Sequence, residues 1–382
     1  MLNDIFTSMK FQKNIILSLY QEHKKTQTKL HNLTYLFWEC TLRCNFNCVH
    51  CGSDCTRENI VPDMPKEDFL KVLTDIRPHV NPHKTMIVLT GGEPLVRKDL
   101  EEVGREIHNM EYPWGFVTNG WGLSQERLDA LLNAGLRSVT VSLDGYTEES
   151  HEWFRGKKGS WLRALNAISR VAGTPGLVYD VVTCVNKKNI DDLHKLKSLL
   201  ISLGVKHWRL FTVFPKGRAK NNPLLKLSTE EFVQMMEFIR QTRKEGKIRA
   251  SYGCEGYLAD YEMEVRDAPF FCQAGVHIAS VLANGDISAC PSLRGDYIQG
   301  NIYKDDFWTV WNTRYQVMRD RRWTKTGTCA TCKSYKYCQG NGLHLRDEKT
   351  GELLHCHLEM MGKLQPEIKR RSVLSRAVSF FT

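Results

Sequence analysis

The chain has 382 residues, 42% apolar and 25% charged, with a formal net charge of +10. This composition is ordinary for a soluble globular protein, and the length allows two domains, one of them an α/β barrel of ~200–250 residues. No apolar run reaches the ~18 residues of a membrane helix, which excludes a helical membrane span, and no basic stripe interleaved with aromatics points to nucleic acid.

The N-terminal stretch is read as an extension over residues 1–30. Its short apolar run, Ile15 to Leu17, is broken by Ser18 and followed by Gln21, Glu22 and His23, unlike a signal peptide. A cytoplasmic, reducing location is therefore expected, where thirteen cysteines argue for metal rather than disulfides. Runs rich in Val, Ile, Thr and aromatic residues predict strands over 35–39, 86–90, 115–118, 138–143, 178–184 and 207–214. Between them lie amphipathic helices. Ser124 is the N-cap of a helix over 125–133 stopped by Gly135, and Asn189 or Asp191 starts another that runs to Leu203 and stops at Gly204.

Six β–α units in succession predict a parallel sheet with right-handed crossovers. Six is short of the eight of a closed barrel, so the expected fold class is α/β, an open, partial (β/α)6 TIM-type barrel over residues 31–225. The loop at 216–227 marks a boundary. Beyond it come a helix over 228–244, with Phe232, Met235, Met236 and Ile239 on its apolar face, and a cysteine-rich segment. We expect a small α+β domain over 226–362 and a basic tail over 363–382. Mild basic clusters at Lys24–Lys25, Lys216–Lys220 and Lys369–Arg371 read as solvated surface, or as a surface for an anionic substrate or partner.

The cysteine run behind the first strand carries the chemistry. Cys44, Cys48 and Cys51 are spaced C-x3-C-x2-C, with Cys40 and Cys55 flanking them. Thiolates are the ligands of iron–sulfur clusters, and three of them leave one iron of a four-iron cubane open for chemistry. A zinc knuckle built from four of the five is the bland alternative, although zinc sites more often pair two cysteines with a distant second pair. Polar and Gly-rich residues fall where the other predicted strands end. They are Gly91, Gly92, Glu93 and Pro94; Thr118 and Asn119; Ser142 and Asp144; Thr183 and Asn186; and Pro215 to Arg218. Strand ends of this kind are where α/β folds bind ligands.

With this order of motifs the segment from Tyr35 to Arg218 resembles the radical S-adenosylmethionine (radical SAM) superfamily. The resemblance implies a 4Fe–4S cluster on Cys44, Cys48 and Cys51, whose open iron is chelated by the amino and carboxylate groups of S-adenosylmethionine. It implies that Gly91–Pro94 present backbone carbonyls and Glu93 to the methionine ammonium. Ser142 and Asp144 would lie near the ribose and carboxylate, and Asn119 would line the same pocket. Arg155 would offer a guanidinium to an anionic group, or else form a surface salt bridge. The implied reaction is one-electron cleavage to a 5′-deoxyadenosyl radical that takes hydrogen from an unactivated substrate carbon. The protein's share is positioning and exclusion of solvent.

The later cysteines resemble the SPASM domain found in many peptide and protein maturases. Cys272, Gly285 and Cys290 match its first half, and Cys329, Cys332, Cys338 and Cys356 match its second. The resemblance implies one auxiliary 4Fe–4S cluster on the last four. The seventh expected cysteine is Gly342. A second auxiliary cluster, on Cys272, Cys290 and Cys254, therefore stands beside the alternative that it has been lost. Structural zinc is a further alternative for the whole segment. His344, His355 and His357 read more readily as surface residues than as ligands, and Cys184 as core. Pro291 stands where related sulfatase maturases place an aspartate base, which disfavours that activity. The implied substrate is a peptide or protein side chain, with a reductant such as flavodoxin or ferredoxin as partner. The competing readings are a small-molecule or cofactor-biosynthesis enzyme and a zinc-binding scaffold.

Overall fold

The computed structural model describes residues 2–253 and 255–363, with side chains from residue 15 onward. A long helix α1 (Leu2–Leu30) precedes six β–α units. The parallel strands are β1 (Tyr35–Thr41), β2 (Met86–Gly91), β3 (Trp114–Thr118), β4 (Leu136–Ser142), β5 (Val178–Val185) and β6 (His207–Thr212). Each lies within one to two residues of its predicted position. The crossover helices are α2 (Lys66–Ile76), α3 (Leu100–Asn109), α4 (Gln125–Asn133), α5 (Glu148–Arg155), α6 (Ser160–Ala172) and α7 (Leu193–Ser202). Ser124 caps α4 by accepting the amide N–H of Arg127, as its position before the apolar repeat requires. A further helix, α8 (Thr229–Glu245), opens with a capping box between Ser228 and Glu231.

The sheet does not end at the six predicted strands. β7 (Arg249–Tyr252) adds a seventh parallel strand beside β6. At the other edge β8 (Ile278–Val281) pairs parallel to β1, and β9 (Asp286–Ser288) and β10 (Gly300–Asn301) follow antiparallel. The ten strands run in the order β10-β9-β8-β1-β2-β3-β4-β5-β6-β7. The cysteine-rich segment thus continues the sheet on both edges, covering backbone groups that β1 and β6 would otherwise expose. These added strands are two to four residues long, too short to show alternation in the sequence.

Both faces of β1 are covered: Leu36, Trp38, Cys40 and Thr41 are fully buried. Trp38 stacks on Phe69 of α2 with ring centroids 4.4 Å apart. Cys40 belongs to this core, where its Sγ donates to the carbonyl of Thr90. Among the described residues no helix is long and apolar enough to cross a membrane. The basic stretch Lys369–Arg371 lies outside the described residues.

Candidate active site

The loop after β1 is held over the strand ends by its neighbours. The amide of Cys44 donates to the carbonyl of Thr56 at 2.7 Å. The guanidinium of Arg218, beyond β6, donates to the carbonyls of Cys48 at 2.7 Å and Cys55 at 3.1 Å. On the other side the loop meets the turn after β2, where Gly92 N–H donates to Thr41 O and Glu93 N–H to Arg43 O. A Cβ on Gly92 would stand 2.1 Å from Arg43 O, and one on Gly91, at φ +129°, 2.0 Å from Thr41 O. Only glycine lets the two backbones approach this closely.

The result is a cavity of about 660 Å³ at the carboxyl ends of the strands. Cys44, Cys48, Cys51, Gly91, Gly92, Glu93, Asn119, Ser142 and Arg155 all line it, so most of the predicted set converges. Pro291, Ser292 and Arg294 from the C-terminal segment and Lys216 and Arg218 after β6 complete its wall.

Three members behave differently from expectation. Asp144 is 1% exposed and does not line the cavity; it stands behind Arg155, bonding Nε at 2.5 Å, and accepts the amide of Cys184 at 2.7 Å. Glu93 reaches the wall, but its carboxylate accepts the Thr118 hydroxyl at 2.8 Å and the amides of Asn119 and Leu95 at 2.7 and 3.1 Å. Its main work is to tie the turn after β2 to the end of β3. Pro94 is buried at the start of a 3-10 turn, away from the wall. Arg155 is no surface salt bridge: it is 8% exposed and points a second nitrogen toward Cys48 Sγ at 4.0 Å. Burial alone would weaken its charge, but the Asp144 carboxylate reverses that and keeps it protonated.

Five thiols line the cavity, because Cys55 and Cys184 join the triplet. Cys184 is therefore wall as well as strand, a position that the apolar run of β5 conceals. Burial pushes the Cys44 thiol up to about 12 and raises Cys48, which Arg155 opposes. The hydrogen bond from Cys55 brings Cys51 down to about 6 and leaves Cys55 the protonated partner. His50, between two of the cysteines, was not anticipated. It stacks on Phe154 with centroids 3.9 Å apart, and burial holds it neutral.

His151 is fully buried and its Nδ1 accepts the amide N–H of Asp144 at 3.1 Å. Burial brings it down to about 3, below the ordinary 6.5. The unfolded chain therefore binds the proton first. Stability from this group is complete above pH 6.5 and falls as the pH drops toward 3. We predict an unfolding free energy in urea that is lower at pH 5 than at pH 7, by about 2 kcal/mol from this residue, and a smaller difference in His151→Gln.

A second cysteine group forms elsewhere. Cys329, Cys332, Cys338 and Cys356 line one small pocket. Cys338 Sγ accepts the amide of Asn341 at 3.2 Å. Cys272 lines a different cavity, with Lys24, Arg321 and Cys338. Cys290 lines neither the strand-end cavity nor the four-cysteine pocket, and Cys254 lies outside the described residues. Gly342 leaves no space for the missing ligand: a Cβ there would stand 2.6 Å from the His344 ring and 2.7 Å from Glu255 O. The neighbouring histidines are not surface residues. His357 and His355 are 0% and 8% exposed. His357 meets Tyr252 Oη at 2.7 Å and Glu255 at 3.4 Å in a buried polar cluster that the sequence did not reveal. Among the described residues no three His, Cys, Asp or Glu side chains close on the point a single metal ion would occupy.

The radical SAM superfamily model matches residues 38–200, and the SPASM iron–sulfur cluster-binding domain model matches residues 272–333. This is a radical SAM enzyme with a SPASM domain. Its radical SAM domain holds the strand-end cavity, and its SPASM match ends before Cys338 and Cys356. The chain is 27% identical over 322 residues to an AdoMet-dependent heme synthase of Methanosarcina barkeri, covering 79% of this chain and 89% of that protein. It is 28% identical over 318 residues to the mycofactocin maturase MftC of Mycolicibacterium smegmatis, covering 80% and 76%. In fold it is similar to Streptococcus suis SuiB bound to precursor peptide SuiA, with a TM-score of 0.64, 17% identity and 84% and 74% coverage. It is likewise similar to anSMEcpe with bound AdoMet and Kp18Cys peptide, with a TM-score of 0.67, 16% identity and 87% and 95% coverage. The two domains imply iron–sulfur clusters and S-adenosylmethionine. The donor sets fit: thiols gathered in a cavity with room beside them, and four thiols around a second pocket.

Proposed function

We propose that Cys44, Cys48 and Cys51 hold a 4Fe–4S cluster with one open iron, and that the enzyme takes a hydrogen atom from a peptide or protein side chain. The observation that carries this is the convergence of the triplet, Gly91–Gly92, Asn119, Ser142 and Arg155 on one cavity. When bound, the cluster and S-adenosylmethionine supply a one-electron cleavage that ends in hydrogen abstraction and 5′-deoxyadenosine. Arg155, oriented by Asp144, offers its guanidinium to the carboxylate of S-adenosylmethionine. The close approach of the Gly91–Gly92 backbone leaves main-chain carbonyls for the ammonium. Asn119 and Ser142 supply an amide and a hydroxyl, respectively, for the sugar. Pro291 and Ser292 wall the cavity from the SPASM side, keeping water from the reacting carbon.

Cys329, Cys332, Cys338 and Cys356 hold an auxiliary 4Fe–4S cluster in this reading, fed or drained by a carrier such as flavodoxin or ferredoxin. A second auxiliary cluster would draw on Cys272, Cys290 and Cys254, without a ligand at 342. A second reading, chemistry on a small molecule, is favoured by the relatedness to the heme synthases. Anaerobically reconstituted enzyme with dithionite is expected to convert S-adenosylmethionine to 5′-deoxyadenosine. Mass spectrometry of candidate precursor peptides against carboxylated small molecules then separates the two readings. Zinc without acid-labile sulfide after anaerobic purification would overturn both.

A further inference from the structure

Arg346 is 1% exposed, among the largest fully buried side chains of the protein. Its guanidinium donates to the carbonyls of Gly340 at 3.0 Å, Gly351 at 2.7 Å and Thr324 at 3.0 Å, and to Cys329 Sγ at 3.4 Å. Its face lies over Trp323, 5.6 Å from the ring centroid. Three of its four partners are neutral dipoles. They satisfy hydrogen bonds but bring no opposite charge, and a guanidinium does not shed its proton. Of the comparably buried arginines, Arg155 and Arg97 each hold a carboxylate, Asp144 and Asp99, whereas Arg266 and Arg321 donate to the carbonyls of Gly256 and Asn341; Arg346 differs from these in its contact with a thiol. Among its hydrogen-bond partners in the described residues, the group that can carry the missing charge is the sulfur of Cys329.

We propose that Arg346 is the built-in counter-charge of the auxiliary cluster at its Cys329 ligand and raises that cluster's reduction potential. This rests on the reading that Cys329, Cys332, Cys338 and Cys356 hold the cluster. Reduction adds one electron and no proton, so a fixed cation at a ligating sulfur favours the reduced form. The three carbonyls hold the guanidinium in place, and exclusion of water keeps its field unscreened. The carbonyl clamp alone would give Arg346 a purely structural role, and the two roles predict different results.

The test uses full-length enzyme carrying Cys44→Ala, Cys48→Ala and Cys51→Ala, so that the remaining signal comes from the SPASM side. The midpoint of the cluster signal that is lost on Cys332→Ala is followed by EPR-monitored titration. Arg346→Gln is expected to shift the one-electron equilibrium at least tenfold toward the oxidised form, about 59 mV, at undiminished iron content. Arg346→Lys keeps the charge but not the clamp, and is expected to hold the midpoint near the parent value. An unmoved midpoint in Arg346→Gln, or equal shifts in both variants, overturns the proposal. Should the Arg346 variants fail to load iron, the triple-alanine parent labelled with 15N-arginine decides. Pulsed EPR of the reduced auxiliary cluster is expected to show a nitrogen coupling, and its absence overturns the proposal. A parent that binds no cluster on the SPASM side overturns the cluster reading itself.

Discussion

Alanine at Cys44, Cys48 or Cys51 is expected to abolish 5′-deoxyadenosine formation and to remove about four irons per chain. The same change at Cys40, Cys55 or Cys184 is expected to leave both in place. The contrast is physical. Cys40 is fully buried on the core side of β1, bonded to the carbonyl of Thr90, and burial holds its thiol protonated. Cys55 lines the cavity but spends its proton on Cys51, and Cys184 packs beside the Asp144–Arg155 pair with its thiol pushed up by burial. Removing any of the three leaves the triplet intact. Iron and sulfide analysis with chromatographic quantification of 5′-deoxyadenosine checks the series. Loss of the cluster in Cys55→Ala or Cys184→Ala with retention in Cys44→Ala would reassign the ligands.

Arg155→Met is expected to destabilise the fold by about 3–5 kcal/mol, because it leaves a buried carboxylate without its partner. Asp144 is held inside three elements: the end of β4, the guanidinium on α5 and the amide of Cys184 on β5. The double variant Asp144→Asn with Arg155→Met removes both charges and should recover most of that loss. Recovery of stability without recovery of S-adenosylmethionine binding would separate the two roles assigned to Arg155. Urea denaturation gives the first quantity and equilibrium binding to the reconstituted enzyme the second. Equal stability of the single variant and the unmodified enzyme would show that the pair does not carry this load.

Much of this molecule was legible in the residues. The six parallel strands announced themselves through β-branched and aromatic runs, because each buries at least one whole face, as the alternating burial of β2, β5 and β6 shows. The cysteine spacing and the Gly91–Gly92 turn were legible because a thiolate ligand and a close backbone approach each permit one residue type. What stayed hidden depends on contacts between distant segments. Asp144 and Glu93 read as cavity residues from their place at strand ends. Packing decides that one backs Arg155 and the other ties loops together. β8 to β10 are too short to carry a pattern and exist because β1 offers an unpaired edge.

By itself, then, the sequence determined the chemistry that can occur: which thiols are spaced for a cluster, which strand ends face a ligand, and which cysteine is missing at Gly342. Those are local properties, set by residue type and spacing. The tertiary structure alone decided which charges are compensated and where. It closed position 342 against His344 and Glu255, buried His357 with Tyr252, and set Arg346 against Cys329 with no carboxylate hydrogen-bonded to it among the described residues. The cost of a buried charge depends on what surrounds it in space, and residues 17 apart in the chain acquire that relation only when the fold brings them together.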